Sequence, residues 1–247
     1  MAKMTPEQLV EQLRAALGPD LRSVVLYGSA AAGEHIPKRS DYNVLVLVDA
    51  LPLERLRAAA AVSAAWGEAG NPPPMTLTVE EWRSSADIFA MEYADILERH
   101  KILYGEAPFD GIRVDPRDLR LQLEHEAMGK LLKLRQGVLA AGGDGRRLAE
   151  LLAASLSTIM VIFRAVLRLE GISPPTDNVA SSQSVARAAG FDPGPFERVV
   201  RHVRGEQSIA PADAASVFAG YLHGMEMLVA HLDRYGGSSA GDGSRAG

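Results

Sequence analysis

The chain has 247 residues, 47% of them hydrophobic, which is enough to bury a sizeable core or to form two compact units of ordinary size. Its net charge of -5 argues against a protein that coats nucleic acid non-specifically, although a local basic cleft is compatible with this charge. The absence of cysteine excludes disulfides, thiolate zinc sites and cysteine nucleophiles. There is no apolar segment of the signal-peptide type and no run near the roughly 18 apolar residues that a membrane span needs. We therefore expect a cytoplasmic protein without a membrane partner.

The first third of the sequence alternates between helix and strand signals. Thr5 and Pro6 are a typical N-cap and first residue of a helix, and an apolar stripe continues that helix to Leu17. The segment 21–26 is short and apolar, and 42–48 is also rich in β-branched residues, which predicts a buried central strand. Further predicted elements are a helix over 53–66, a strand over 75–79 after three prolines, an interrupted helix over 80–99 and a short strand over 101–104.

From residue 115 onwards the pattern changes to long helices. Asp115 and Pro116 begin a helix that ends at the glycine-rich segment 142–145. The apolar segment 148–169 is interrupted by three charged residues, which favours a buried bundle helix over a membrane span. Helices are predicted over 147–170, 179–189, 195–204 and 211–235. The predicted organisation is an α/β domain over 1–109, a helical bundle domain over 110–235 and a disordered Gly/Ser-rich tail over 236–247.

The stretch 27–48 contains a candidate phosphate site. Gly28 permits a tight turn directly after the first strand, and Ser29 begins a short helix. Backbone N–H groups at a helix N-terminus favour a phosphate, and the serine hydroxyl adds a further donor. Lys38 and Arg39 in the following loop are candidate phosphate contacts, although solvated loop charges explain them equally well.

The next strand begins with two candidate metal ligands, Asp41 and Asn43. Residues two apart on a strand share a face, so these side chains could hold a cation between the strand and a bound triphosphate. A carboxylate that merely caps the strand is the simpler explanation of Asp41 taken alone.

Gly-Ser, a loop and Asp-x-Asp on a strand resemble the signature of the nucleotidyltransferase superfamily related to DNA polymerase beta. The layout is most similar to bacterial aminoglycoside adenylyltransferases, over residues 20–105 and more loosely over the helical half. The resemblance implies an α/β (α+β) fold, with an N-terminal mixed sheet and flanking helices followed by a C-terminal helical bundle. It also implies that Gly28 and Ser29 contact a nucleoside triphosphate and that acidic residues, here Asp41 with Asn43, bind Mg²⁺.

The sequence departs from this family at two of three acidic positions. The second position is Asn43, and the third is expected near Met75 and Thr76, neither of which is acidic. An amide oxygen can ligate Mg²⁺ but adds no charge, and losing one electrostatic contributor costs about 10²–10³ in rate. The sequence therefore favours a nucleotide-binding protein with weakened or lost metal-dependent transfer. The alternative is an active enzyme that transfers an adenylyl group from ATP to a small molecule or a protein.

Other residues could carry chemistry, but each has a simpler explanation. Six nearby acids could replace the missing ligands, although solvated surface carboxylates are the simpler interpretation: Glu34, Glu80, Glu81, Asp87, Glu92 and Asp95. Glu92 is the best of them, because the segment 90–96 resembles a stretch commonly retained in these proteins. Arg120 and His125 match the Arg-x4-His spacing of HEPN-type helical ribonucleases, but a surface pair is the simpler reading. Oligomerisation stays open, and nucleic acid is not an expected partner.

Overall fold

The structure is a computed structural model, and it describes residues 4–31 and 41–238. Contacts divide the chain into two compact units, Met1–Asp115 and Pro116–Gly247, called here the first and second units. The first unit contains these elements in chain order: α1 Pro6–Leu17, β1 Leu21–Tyr27, β2 Asn43–Val48, α2 Leu53–Glu68, β3 Met75–Thr78, α3 Val79–Ser84, α4 Ala90–Glu98 and β4 His100–Gly105.

The first unit contains a four-stranded mixed sheet with the order β3-β2-β1-β4. β1 is antiparallel to both β2 and β4, whereas β2 and β3 are parallel. Tyr27, the last residue of β1, lies opposite Asn43 of β2 and His100 of β4. The end of β1 and the beginnings of β2 and β4 therefore lie at the same end of the sheet.

Alternate residues of the strands pack against helices on opposite faces of the sheet. On one face, the sheet core packs with α1 and α2, through buried residues that include Leu9, Leu13, Val24, Val46 and Trp66. The other face packs against α3 and α4, through Val25, Leu45, Leu47, Trp82, Tyr93 and Ile96. The Trp82 and Tyr93 rings stack with centroids 4.0 Å apart, and the Tyr93 hydroxyl donates to the Trp82 carbonyl at 2.7 Å. Since Asn43 has the same parity along β2 as Leu45, it belongs to the face that α4 covers.

Most predicted elements of the first unit are confirmed, but the start of the second strand is not. β2 begins at Asn43, so Asp41 precedes the strand and is exposed. The N–H of Tyr42 donates to the Asn71 side-chain oxygen at 3.0 Å, which holds this segment from outside the sheet. The prediction that Asp41 and Asn43 lie on one strand was therefore wrong.

The second unit consists of helices, as predicted. They are α5 Pro116–Ala141, α6 Gly145–Leu169, α7 Asn178–Ala189, α8 Gly194–Arg204 and α9 Pro211–Ser238. Four aromatic residues form the centre of its core, and the Phe196 ring lies 5.0 Å from Phe163, 5.3 Å from Phe191 and 4.3 Å from Tyr221 between centroids. α9 ends three residues later than predicted, and the remaining predicted tail, 239–247, lies outside the described residues.

α6 is strongly apolar on average, although charged residues interrupt its apolar run. By length and composition it is the one helix in the described part of the chain that could cross a membrane, with a mean hydropathy of 1.8. However, 61% of the most apolar 18-residue stretch of this helix is buried inside the protein. This burial agrees with the predicted role as the core helix of a bundle.

The start of α6 depends on a side-chain cap. Asp144 accepts hydrogen bonds from the N–H groups of Arg146 at 2.8 Å and Arg147 at 3.4 Å, so α6 begins at Gly145 and not at Arg147 as predicted. These hydrogen bonds also hold the pKa of the Asp144 carboxyl below its ordinary value.

Asp144→Ala is expected to lower the free energy of unfolding of the second unit measurably, because two N–H groups lose their acceptor. Urea unfolding followed by far-UV circular dichroism measures this loss. Asp144→Asn is the control, since its side-chain oxygen can still accept from the same groups. An equal loss in both variants would contradict the capping role.

Candidate functional site

The turn after β1 brings the backbone into a left-handed conformation. Gly28 has a φ of +76°, which residues with a Cβ rarely adopt, and it begins a three-residue 3₁₀ turn, Gly28–Ala30. The N–H of Ala31 donates to the Gly28 carbonyl at 3.1 Å. The predicted tight turn is confirmed. Within the described residues the predicted short helix is represented by this turn, and residues 32–40 lie outside them.

The turn is tied to the end of α4. The N–H of Gly28 donates to the Arg99 carbonyl at 3.1 Å, and the N–H of Arg99 donates to the Asp95 carbonyl at 2.8 Å. The Gly28 N–H is therefore used within the protein. A phosphate at this turn would need donors from later residues, which modifies the expectation of a helix N-terminus beginning directly after the strand.

Asn43 and Asp95 both lie close to Gly28. A Cβ placed on Gly28 would lie 3.4 Å from Asn43 Nδ2 and 3.7 Å from Asp95 Oδ2. The Asp95 side chain is buried, with 6% of its surface exposed, whereas Asn43 is half-buried. The interpretation of Asp95 as a solvated surface carboxylate was therefore wrong.

A sequence signal for Asp95 does exist in α4. Met91, Tyr93 and Ile96 are buried, and Asp95 lies four residues after Met91, on the same face of the helix. A carboxylate on the apolar face of a short helix is rarely buried without a specific role. The hydrophobic pattern of 90–98 could thus have singled out Asp95.

Glu92 lies one helical turn before Asp95 and is half-buried. Burial raises the pKa of the Tyr27 phenol to about 12, and the negative charges of Glu92 and Asp95 add to this rise. Both carboxylates therefore act on the end of β1. The other described acids that the sequence singles out, Glu80, Glu81 and Asp87, are exposed, as expected for solvated carboxylates.

Several predicted site residues lie away from this group or outside the described structure. Lys38, Arg39 and Glu34 lie outside the described residues, and for Ser29 the structure describes only the backbone, within the turn. Met75 and Thr76 pair with Leu45 and Val46 across β2 and β3, so the start of β3 provides no acid.

The described donors do not fit a Mg²⁺ site built from several carboxylates. In residues 4–31 and 41–238, no group of three His, Cys, Asp or Glu side chains is arranged to hold a metal ion. Asp41 is exposed, and the atom of Asn43 within 4 Å of a Cβ built on Gly28 is the amide nitrogen, which cannot ligate a cation. Hard cations in phosphoryl-transfer sites rely on carboxylates, so we assign no step to a metal here.

The ribonuclease alternative gains no support from α5. Arg120 Nη1 lies 3.0 Å from Glu124 Oε2, in an ion pair within the helix, and His125 is exposed. Residues five apart on a helix are rotated by about 140°, so Arg120 and His125 lie on different faces. The ion pair with Glu124 explains the position of Arg120 without a catalytic role.

The mixed sheet with helices on both faces, followed by a helical unit, gives this chain the α/β nucleotidyltransferase fold. Among solved structures it is similar to the spectinomycin adenyltransferase AAD(9) from Enterococcus faecialis, determined with ATP and spectinomycin. The two are 12% identical with a TM-score of 0.59, over 93% of this chain and 100% of that chain. At this identity the likeness shows the fold, and it confirms the predicted fold class.

A toxin-antitoxin structure with AMP-PNP is also matched, at 19% identity, with a TM-score of 0.29, over 41% of this chain and 75% of that chain. This likeness is too distant to carry an argument. No protein-family model matches the sequence, and no curated protein matches it.

Proposed function

We propose that this protein binds a nucleoside triphosphate at the turn Gly28–Ala30 and has weakened or lost metal-dependent nucleotidyl transfer, acting in the cytoplasm. One observation carries the proposal: the left-handed turn at Gly28 lies beside the Asn43 amide at the end of the sheet. The fold adds support, because the similar adenyltransferase AAD(9) was determined with ATP. In this proposal Ser29, Lys38 and Arg39 contact the phosphates.

The charges at the site support binding with little metal dependence. Asn43 adds no charge that would hold a cation. Lys38 and Arg39 would neutralise the phosphates directly. Asp41 is the one carboxylate left on the predicted ligand pair, so Mg²⁺ would be held weakly and mainly by the nucleotide itself.

The test is a titration with ATP, GTP, CTP and UTP, each with and without Mg²⁺. Thermal unfolding is followed through tryptophan fluorescence, because both tryptophans, Trp66 and Trp82, lie in the first unit. At a nucleotide concentration 100 times Kd, binding should stabilise the unit by about 2.7 kcal/mol. We expect a rise in the unfolding midpoint that Mg²⁺ changes little. The absence of a rise with all four nucleotides would refute the proposal.

An active nucleotidyltransferase is the second candidate, and the position of Asp95 favours it. With Asp95 beside the turn, the region around Gly28 contains a carboxylate that the sequence pattern does not assign to it. The reaction would join an acceptor oxygen to the α-phosphorus of ATP and release pyrophosphate, with a small molecule or a protein as the acceptor. Spectinomycin is the first acceptor to test, because it is bound in the similar adenyltransferase. Pyrophosphate release with Mg²⁺ or Mn²⁺ would show that transfer is retained.

A further inference from the structure

One side of α5 exposes a row of large apolar side chains. Of the nine large apolar residues that are exposed in the described part of the chain, four lie on this helix and form what we call the outer row: Leu121, Met128, Leu132 and Leu139. They are spaced by seven, four and seven residues, so they fall within about 40° of one another around the helix. Leu121 is 65% exposed and Leu139 is 82% exposed. Single exposed apolar residues are ordinary, but a row on one side of a helix indicates an interaction surface.

The opposite side of α5 is already packed within the second unit. Its buried residues belong to the core that α5 shares with α6 and α9: Leu119, Leu123, Ala127, Leu131, Leu134 and Ala141. The outermost side of a bundle helix is expected to be polar, because water covers it. α5 is apolar on two sides instead, and the packing of the bundle explains only one of them.

The outer row is symmetric about position 130. Leu121 and Leu139 lie nine residues before and after this position. Met128 and Leu132 lie two residues before and after it. A two-fold axis perpendicular to α5 at this position would therefore bring two copies of the helix together in opposite directions, with each member of the row opposite its counterpart in the second copy. The row matches itself in this way over about 27 Å of helix, at 1.5 Å a residue.

The charges beside the outer row are complementary about the same axis. Glu124 and Arg135 lie on the same flank of the row, within about 60° of its centre, on either side of position 130. In the antiparallel arrangement Glu124 lies next to Arg135 of the second copy, whereas a parallel arrangement brings like charges together. Within its own chain, Glu124 pairs with Arg120 at 3.0 Å. Arg135 pairs with Glu226 at 2.8 Å, so the contact between copies joins two existing ion pairs into one network.

We propose that the outer row is the interface of a homodimer in which α5 packs antiparallel against α5 of a second copy. The occupant is a second copy because a two-fold interface needs a surface that matches itself, and both the row and its flanking charges meet this condition. Exposed ion pairs stabilise little, so the charges set the direction of the helices and the apolar row provides the affinity.

The size of the surface sets the strength of the dimer. A single helix of about 10–12 Å diameter offers less area than the roughly 800 Å² that each partner contributes to a standard interface. The dimer is therefore reversible, with a Kd on the order of 10 µM.

Sedimentation equilibrium of the full chain tests the dimer directly. Over a range from about 1 to 500 µM, which brackets that Kd, the average mass should rise from that of one chain to that of two. A mass of one chain at every concentration would overturn the inference. None of these measurements depends on nucleotide binding, so they are independent of the proposed function.

Leu132→Glu should weaken self-association by about 100-fold or more, because it places a charge against the apolar Met128 of the second copy. Ala154→Glu is the matched control, since it adds the same charge at an exposed position of α6 and should leave the Kd unchanged. Far-UV circular dichroism checks that both variants retain the helices. Equal weakening in both variants would overturn the inference, because net charge and not the outer row would then control association.

Cross-linking tests the direction of the two helices, and a chain without cysteine makes the reaction specific. Leu121→Cys and Leu139→Cys are mixed and treated with a short bis-maleimide. We expect the mixture to form a cross-linked dimer and each variant alone to remain monomeric, because equal positions lie about 27 Å apart in the antiparallel pair. Ser157→Cys, at an exposed position of α6, is the control and should not cross-link to Leu121→Cys. Cross-linking of Leu121→Cys to itself, or equal reaction with the control, would overturn the antiparallel interface.

Discussion

Gly28→Asp should weaken ATP binding by more than about 100-fold. The new carboxylate would lie at the turn where we place the phosphates, and a like-charge juxtaposition costs several kcal/mol, with each 1.4 kcal/mol worth tenfold in Kd. It would also stand within van der Waals reach of Asn43 and Asp95, whose side chains approach the Cβ position to 3.4 Å and 3.7 Å. An ATP titration by calorimetry measures the change in Kd.

Two controls separate charge from conformation at this position. Gly28→Asn has nearly the same shape and, like aspartate, tolerates a positive φ better than most residues, but it adds no charge. It should weaken ATP binding by about tenfold or less. Gly111→Asp adds the same charge at a position with a φ of +77° and no atom within 4 Å, and it should leave Kd unchanged. Equal effects of Asp and Asn at position 28 would contradict a phosphate at this turn.

Gly105→Ala is expected to destabilise the first unit by about 3 kcal/mol or more. Gly105, the last residue of β4, pairs with Ser23 of β1 close to a shift in register, and its φ is +77°. A Cβ there would lie 1.9 Å from the Arg22 carbonyl oxygen, which belongs to the backbone of β1 and cannot rotate away. The left-handed conformation costs about 1–2 kcal/mol and the forced strand shift about 1–3 kcal/mol more. Urea unfolding followed by tryptophan fluorescence measures the loss.

Gly111→Ala is the matched control, because Gly111 also has a φ of +77° but has no atom within 4 Å of its Cβ position. It should cost only the backbone term, about 1–2 kcal/mol. Similar losses of free energy of unfolding in both variants would show that β1 shifts without a penalty, which would contradict the prediction. Since β1 ends at the Gly28 turn, Gly105→Ala should also reduce the fraction of protein that binds nucleotide.

The elements of this chain could be predicted because their signals are local. Thr5 caps α1 through the reciprocal pair with Gln8, in which the Thr5 hydroxyl accepts from the Gln8 N–H at 3.3 Å and the Gln8 side chain accepts from the Thr5 N–H at 2.9 Å. The tight turn at Gly28 is likewise a property of one residue without a Cβ. The predicted strand boundary was wrong where a side chain distant in the sequence determines it. At Tyr42 the backbone N–H donates to the Asn71 side-chain oxygen, and the strand begins one residue later.

The candidate site could be predicted only in part. Gly28 and Asn43 could be singled out as candidates because β1 and β2 follow each other in the chain and the family pattern spans both. The position of Asp95 close to Gly28 could not be predicted, because it depends on where α4 packs. The Trp82–Tyr93 stack and Ile96 fix α4 over the face of the sheet that contains Leu45 and Asn43. The spacing of residues along the chain does not predict which face of the sheet α4 covers.

The sequence by itself determined that an α/β unit precedes a helical unit, that a glycine turn follows the first strand, and that an amide stands at 43. Hydrophobic period, capping and turn chemistry act over a few residues, so one segment can be interpreted without the rest. Only the tertiary structure decided the strand order, the use of the Gly28 N–H by Arg99, and the burial of the Asp95 carboxylate. Burial joins residues that are distant in the chain, and it places the Asp95 carboxylate close to Gly28, where the spacing of the sequence assigns no acid.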